Sequence, residues 1–291
     1  MLKPRARNTD INSVRAWIST ALVSVVALAT APGALADTTD SSNWAGYAVH
    51  RFGMSFRKVT ASWRQPTASC SAGKATYSAY WVGIGGYSTG SQALEQIGTE
   101  TDCNGAGNAV LSAWYELVPA PSMPIHLTLH PGDLIDAGVN IAGRTVTMSL
   151  YDDTRHRGVT KVLRASQIDA SSAEWIVEAP SDCVSVADCL TLPLANFGSA
   201  TFNGARAQST KGHQGTISDS TWVATKITLT PGSRRFIGYQ ASGASAGAAA
   251  PSGLQAGGTS FKVTYSVVSV PFETVRRAAL VAAGRIVHPL R

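Results

Sequence analysis

Residues 145–151 read Thr-Val-Thr-Met-Ser-Leu-Tyr, and residues 261–267 read Phe-Lys-Val-Thr-Tyr-Ser-Val. Both stretches alternate. Val146, Met148 and Leu150 fall on one side of an extended chain, and Thr145, Thr147 and Ser149 on the other. Phe261, Val263, Tyr265 and Val267 likewise oppose Lys262, Thr264 and Ser266. A period of two describes strands with one buried and one solvated face, the pattern of antiparallel sheets. Shorter runs of this kind recur near 43–51, 56–64, 78–84, 109–117, 124–130, 174–178, 199–203 and 222–229, punctuated by Gly85-Gly86, Pro131-Gly132 and Pro231-Gly232. No internal repeat is visible, and no long amphipathic helix pattern precedes residue 270. The expectation is an all-β chain folded as a two-sheet antiparallel β-sandwich.

Composition agrees with that class. The chain has 291 residues, 44% hydrophobic and only 14% charged, with 27 Gly. That is enough apolar material for a core and too much for wholesale disorder. The formal net charge of +6 suggests an anionic partner until the charges are located. Lys3, Arg5, Arg7 and Arg15 stand against Asp10 in residues 1–36, and Arg276, Arg277, Arg285 and Arg291 against Glu273 in 270–291. Residues 37–269 carry no net charge and no polybasic run, so nucleic-acid binding loses its support.

Residues 1–36 read as a secretory signal: a basic segment to Arg15, an apolar stretch from Ala16 to Ala31, then Ala34-Leu35-Ala36. The apolar stretch is short of the roughly 20 residues a spanning helix needs. Cleavage before Asp37 and a secreted, extracellular chain with no membrane attachment are expected. The chain then divides into 1–36, a sandwich domain over 37–269, and a basic tail over 270–291, helical or disordered. The Ala/Gly/Ser-rich stretch 241–258 reads as a flexible surface loop inside the domain. Cys70, Cys103, Cys183 and Cys189 in an exported chain suggest two disulfides. Of the three connectivities, Cys70–Cys103 with a local Cys183–Cys189 bridge is the simplest.

Familiar catalytic patterns are missing: no G-x-S-x-G elbow, no H-E-x-x-H, no Asp-Thr-Gly or Asp-Ser-Gly triplet and no phosphate loop. His126 and His130 flank an alternating Leu127-Thr128-Leu129. On a strand they would stand ~13 Å apart, too far to share a metal. No metal or cofactor is implied, which leaves carboxylates and amides to carry chemistry. Two stretches concentrate them: Glu95-Gln96-Ile97-Gly98-Thr99-Glu100 and Glu174-Trp175-Ile176-Val177-Glu178. Alternation puts Glu174, Ile176 and Glu178 on one face, natural if that face lines a cleft. Solvation at a strand end is the plainer reading.

Several segments, taken in order, resemble the glutamic peptidases, or eqolisins (peptidase family G1, formerly A4). They are Asn43-Trp44-Ala45-Gly46, Trp81-Val82-Gly83-Ile84-Gly85-Gly86, Gln96-Ile97-Gly98, Ala113-Trp114-Tyr115-Glu116, Ala173-Glu174-Trp175-Ile176-Val177-Glu178 and Asn196-Phe197-Gly198-Ser199 with Thr201-Phe202. The resemblance covers roughly residues 41–268. It implies a concanavalin A-like sandwich of jelly-roll type and a catalytic Gln/Glu pair on neighbouring strands of the concave sheet, here Gln96 and Glu178. It also places Trp81, Tyr115, Trp44 and Glu100 about the substrate. Two departures stand out. The family's usual Gly-Ile-Asp-Gly is Gly83-Ile84-Gly85-Gly86 here, so Gly85 removes a carboxylate that bears on activity and pH optimum. Glu95 stands where fungal members carry an apolar residue.

The residue types suit amide hydrolysis. A carboxylate can deprotonate an attacking water and then protonate the leaving amine. A carboxamide can donate to the oxyanion. The expectation is a monomeric, acid-acting endopeptidase on polypeptide substrates. The alternatives are a non-catalytic carbohydrate- or protein-binding sandwich, an inactive peptidase homologue, or a glycosidase with two carboxylates. The Glu-x-Asp-x-x-Glu strand of sandwich glycosidases is absent.

Overall fold

The computed structural model describes residues 37–185, 188–233, 241–242 and 247–267. The strands of the first half are β1 (Asp37–Ser41), β2 (Trp44–His50), β3 (Phe56–Arg64), β4 (Ala79–Gly85), β5 (Leu94–Cys103), β6 (Ala109–Val118), β7 (Met123–Ile125), β8 (Leu134–Ala142) and β9 (Thr145–Asp152). The second half supplies β10 (Arg157–Arg164), β11 (Ser172–Glu178), β12 (Ser181–Ser185), β13 (Asp188–Thr191), β14 (Ser199–Ser209), β15 (Gln214–Gly215), β16 (Val223–Leu229), β17 (Ala241–Ser242), β18 (Gly247–Pro251) and β19 (Phe261–Val267). One short 3-10 turn, Ala256–Gly258, is the helical element among the described residues.

The main sheet runs β10-β9-β8-β3-β14-β19-β18-β16-β2-β11-β4-β5-β6-β7 and folds back on itself into two layers. Strands β3, β8, β9 and β14 pack over β4, β5 and β11. Almost every pairing is antiparallel; β1 beside β16 and β13 beside β17 are parallel. The expected sandwich is present, but its two layers are joined through β18 into one hydrogen-bonded path. Between the layers lies a core of Tyr47, Val59, Trp63, Val82, Ile97, Val139, Met148, Trp175, Phe202 and Phe261 with their neighbours.

Burial patterns separate the layers. The outer strand β9 alternates (iBiBeBeB), as its sequence requires. Strands β2, β4 and β11 are buried along nearly their whole length. Their second face carries its own apolar cluster of Trp44, Ala48, Trp81, Leu94, Trp114, Val118 and Ile176.

Three expectations change. The stretch 241–258 is not simply a loop: residues 247–251 form β18, which bridges the layers by pairing with β16 and β19. Its small residues are packing requirements, since a Cβ on Gly247 would sit 2.5 Å from the Tyr265 ring. Residues 243–246 lie outside the described residues. The strand expected over 124–130 stops at Ile125, and the His130 N–H is satisfied by the Asp133 carboxylate at 2.8 Å instead of a ladder. Strands β5, β8 and β10 add to the runs read above. Cys70–Cys103 is bridged. Cys183 and Cys189 are register partners, but their side chains, the segment 1–36 and the tail 270–291 lie outside the described residues.

Glu95 breaks the apolar rule of the interior. It shares the core-facing side of β5 with Ile97, is fully buried, and neither carboxylate oxygen has a hydrogen-bond partner. Burial, and then the Asp169 charge, push Glu95 up to about 8. A carboxyl raised in the folded state stabilises fully below its unfolded pKa and loses that contribution as pH rises towards 8. Glu95→Gln is therefore expected to leave stability nearly unchanged at pH 4 and to raise it by on the order of 1–3 kcal/mol at pH 8, measured by urea unfolding at both pH values.

Candidate active site

Strand β11 sits between β2 and β4 and fixes the site. Register aligns Glu178 with Trp44 on one side and Ala79 on the other, and Ile176 with Gly46 and Trp81. The alternation read from sequence holds: Trp175 and Val177 enter the core between the layers, while Ile176 joins the cluster on the opposite face. Glu178 projects from that opposite face into a cavity also lined by Asn43, Trp44, Gln96, Glu100, Trp114 and Glu116.

Gln96 and Glu178 therefore meet in one cavity, though not from neighbouring strands. Strand β4 lies between β11 and β5. Gln96 is level with Gly83 and Glu174, whereas Glu178 is level with Ala79 and Glu100. The pair faces itself diagonally, across the Trp81 side chain. Two glycines seat that indole. A Cβ on Gly83 would lie 2.9 Å from its ring, and one on Gly98 would lie 2.6 Å from its Cβ and 2.2 Å from the Tyr80 carbonyl.

The glutamate is held firmly. Trp81 Nε1 donates to Glu178 Oε2 at 2.8 Å, and Asn43 Nδ2 to Oε1 at 3.2 Å. The Ser41 hydroxyl donates to Asn43 Oδ1 at 2.8 Å and so orients the amide. Trp44 packs edge-on to Trp81, with centroids 4.9 Å apart. Its indole N–H is buried without a hydrogen-bond partner, close enough to ease the Glu178 charge. On the other side, Gln96 Nε2 donates to Glu116 Oε2 at 2.5 Å, and Gln96 Oε1 is buried without a partner.

Desolvation dominates the electrostatics. Burial and the neighbouring Glu116 push Glu178 up to about 8, against the three donors. Burial pushes Glu116 to about 7, against the Gln96 amide. Glu174, on the same face and fully buried, is raised well above the ordinary range by burial, then by Asp169 and Glu95. Two neighbouring part-buried carboxyls take up a proton between them more readily than free carboxylates do.

Three of the four residues expected around substrate line the cavity or touch Glu178: Trp44, Glu100, and Trp81 through its hydrogen bond; Gln96, expected in the catalytic pair, lines it too. Glu100 accepts from the Ser112 hydroxyl. Tyr115 is corrected. It lies on the opposite face of β6, packed against the core between the layers, with Lys161 over its ring at 5.8 Å. Strand alternation allows Tyr115 or its neighbours to face the cleft, never both, and the structure chooses Trp114 and Glu116. Glu116 and Asn43 were visible within the quoted segments, but only register reveals that they hold the pair.

A family model described as the peptidase A4 family matches residues 42–236. The chain belongs to that family of glutamic peptidases and is a peptide-bond hydrolase. Among solved structures it is similar to scytalidoglutamic peptidase bound to a peptide-based transition-state analog. The two are 24% identical with a TM-score of 0.59, over 77% of this chain and 98% of that one. It is also similar to SCP-B, a member of the eqolisin family, in complex with the tripeptide Ala-Ile-His, at 22% identity and a TM-score of 0.55, covering 77% and 98%. No protein of curated function matches the chain.

Gly98→Ala is expected to lower stability by about 2–4 kcal/mol, because the intruding methyl meets backbone and the Trp81 stem, neither of which can move freely. Thermal unfolding measures it. An unchanged Tm would show that β4 and β5 do not approach this closely.

Proposed function

We propose that the chain is a secreted, acid-acting endopeptidase in which Glu178 and Gln96 cleave peptide bonds by direct attack of water. The observation that carries this reading is their convergence in one cavity, with Glu178 gripped by Asn43 and Trp81 and Gln96 gripped by Glu116. Its secretion rests on residues 1–36. The peptide-based transition-state analog and the tripeptide bound in the two similar structures support a polypeptide substrate.

Glu178 in its anionic form removes a proton from water as the water oxygen attacks the scissile carbonyl carbon. The electron pair of the C=O bond moves to oxygen, and a Gln96 N–H donates to the oxyanion, a contact commonly worth ~3 kcal/mol. Collapse expels the amine, which takes the proton from Glu178, and the carboxylate is regenerated. The base must be anionic in a cavity that resists charge. Burial and the Glu116 charge work against the anion, and the Trp81 and Asn43 donors on the Glu178 oxygens work for it, so a less charged Glu116 favours the active base.

Glu178→Gln is expected to abolish cleavage of casein at pH 3–5 while leaving Tm within a few degrees. Full activity in that variant would refute the assignment. Gln96→Ala is expected to lose about 10²-fold in kcat. Glu116→Gln removes the charge that raises Glu178, so the acidic limb of kcat/KM should move to lower pH by roughly one unit. An unmoved limb would remove Glu116 from the electrostatics. Pepstatin is expected not to inhibit. A polysaccharide-binding assay alongside tests the non-catalytic alternative.

A further inference from the structure

Gly85 leaves a gap in the sequence pattern, and the structure fills it from elsewhere. Its φ is +90°, and a Cβ placed on it would lie 3.1 Å from the Cβ of Asp169 and 2.3 Å from the Asp169 carbonyl oxygen. The space a side chain at 85 would enter is already taken by Asp169, in the connector between β10 and β11. That connector is itself fixed: the Ala165 N–H donates to Arg144 O at 3.0 Å, the Phe56 N–H to Ala170 O at 2.7 Å, and the Ser171 N–H to Asp169 Oδ1 at 2.9 Å.

The other carboxylate oxygen of Asp169 reaches the loop that follows Gly85. Oδ2 accepts from the Ser91 hydroxyl and from the Gly86 N–H at 3.4 Å. Ser91 Oγ in turn accepts from the Gly86 N–H at 3.2 Å and lies 2.9 Å from the Ala93 carbonyl, so both ends of the loop converge on one carboxylate. Gln167 Nε2 adds a bond to Gln92 O. Within the loop, Tyr87 stacks on His50 at 4.7 Å, and Gly86, Ser91 and Ala93 form a wall of the cavity that holds Gln96 and Glu178.

We propose that Asp169 is a positioning residue for substrate binding: its carboxylate pins the 86–93 loop as the wall of the cleft, in place of any side chain at position 85. The inference rests on the peptidase reading for its kinetic consequence, while the clamp itself stands on geometry. A hydrogen-bonded charge that organises a binding wall affects how well substrate is held, and leaves the reacting groups in place.

The test compares wild type with Asp169→Asn and, as a second variant that leaves the connector intact, Ser91→Ala. Steady-state kinetics on an unstructured, uncharged fluorogenic octapeptide at pH 4 should show KM raised about tenfold with kcat within about threefold. Native-state hydrogen exchange should show residues 86–93 exchanging about tenfold faster, with β19 unchanged. Unchanged KM and unchanged exchange in both variants would overturn the proposal. So would a fall in kcat with KM constant, which would place Asp169 in the chemistry instead. A wild type that cleaves no peptide would sink the peptidase reading, and hydrogen exchange would still decide the clamp.

Discussion

The structure depends on one strand being covered on both faces. In β11, Ala173, Trp175 and Val177 fill the core between the layers, while Glu174, Ile176 and Glu178 face the other way. A sheet face that is merely solvated would leave Glu178 an ordinary carboxylate. Here the second face is floored by Trp44, Trp81 and Trp114, so the part-buried carboxyl meets a few chosen donors. Desolvation raises the cost of its charge; the indole and amide donors offset part of that cost.

The same economy appears at Glu95 and Glu174, buried carboxyls whose oxygens find no donor in hydrogen-bond geometry. Burial pushes both up, and the Asp169 charge adds to it. Asp169 itself is held low: four donor contacts from Ser91, Ser171 and Gly86 together outweigh its own desolvation. The molecule thus carries several carboxyls that are most comfortable protonated and a few held ionised by donors or cations. At Glu95 and Glu174 the protonated form favours the folded state, and that contribution is lost as pH rises.

Strand geometry also explains where a local reading of the chain succeeds and fails. The alternation of β9 and β11 matches the faces they present, and that of β19 holds through Val263, whereas Val267 at the strand end is exposed. The motif around Tyr115 points to the cleft, but strand alternation puts Trp114 and Glu116 there. The small residues of 241–258 suggest a flexible loop. Those residues are equally the composition of a strand squeezed between two others, and Gly247 beneath the Tyr265 ring shows why. Composition cannot distinguish freedom from crowding.

Sequence by itself determined that the chain is all-β, that its body is electrically neutral, and that Gln96 and Glu178 are the residues to examine. Period-two patterning and the order of the motifs are local properties, and they survive without a third dimension. Only the tertiary structure decided that the two residues face each other diagonally across β4, that Glu116 rather than Tyr115 completes the cavity, and that Asp169 occupies the space at Gly85. These depend on register between strands far apart in the chain. A one-residue shift in pairing would turn every side chain to the other face, and nothing in a single strand's sequence specifies its neighbour's register.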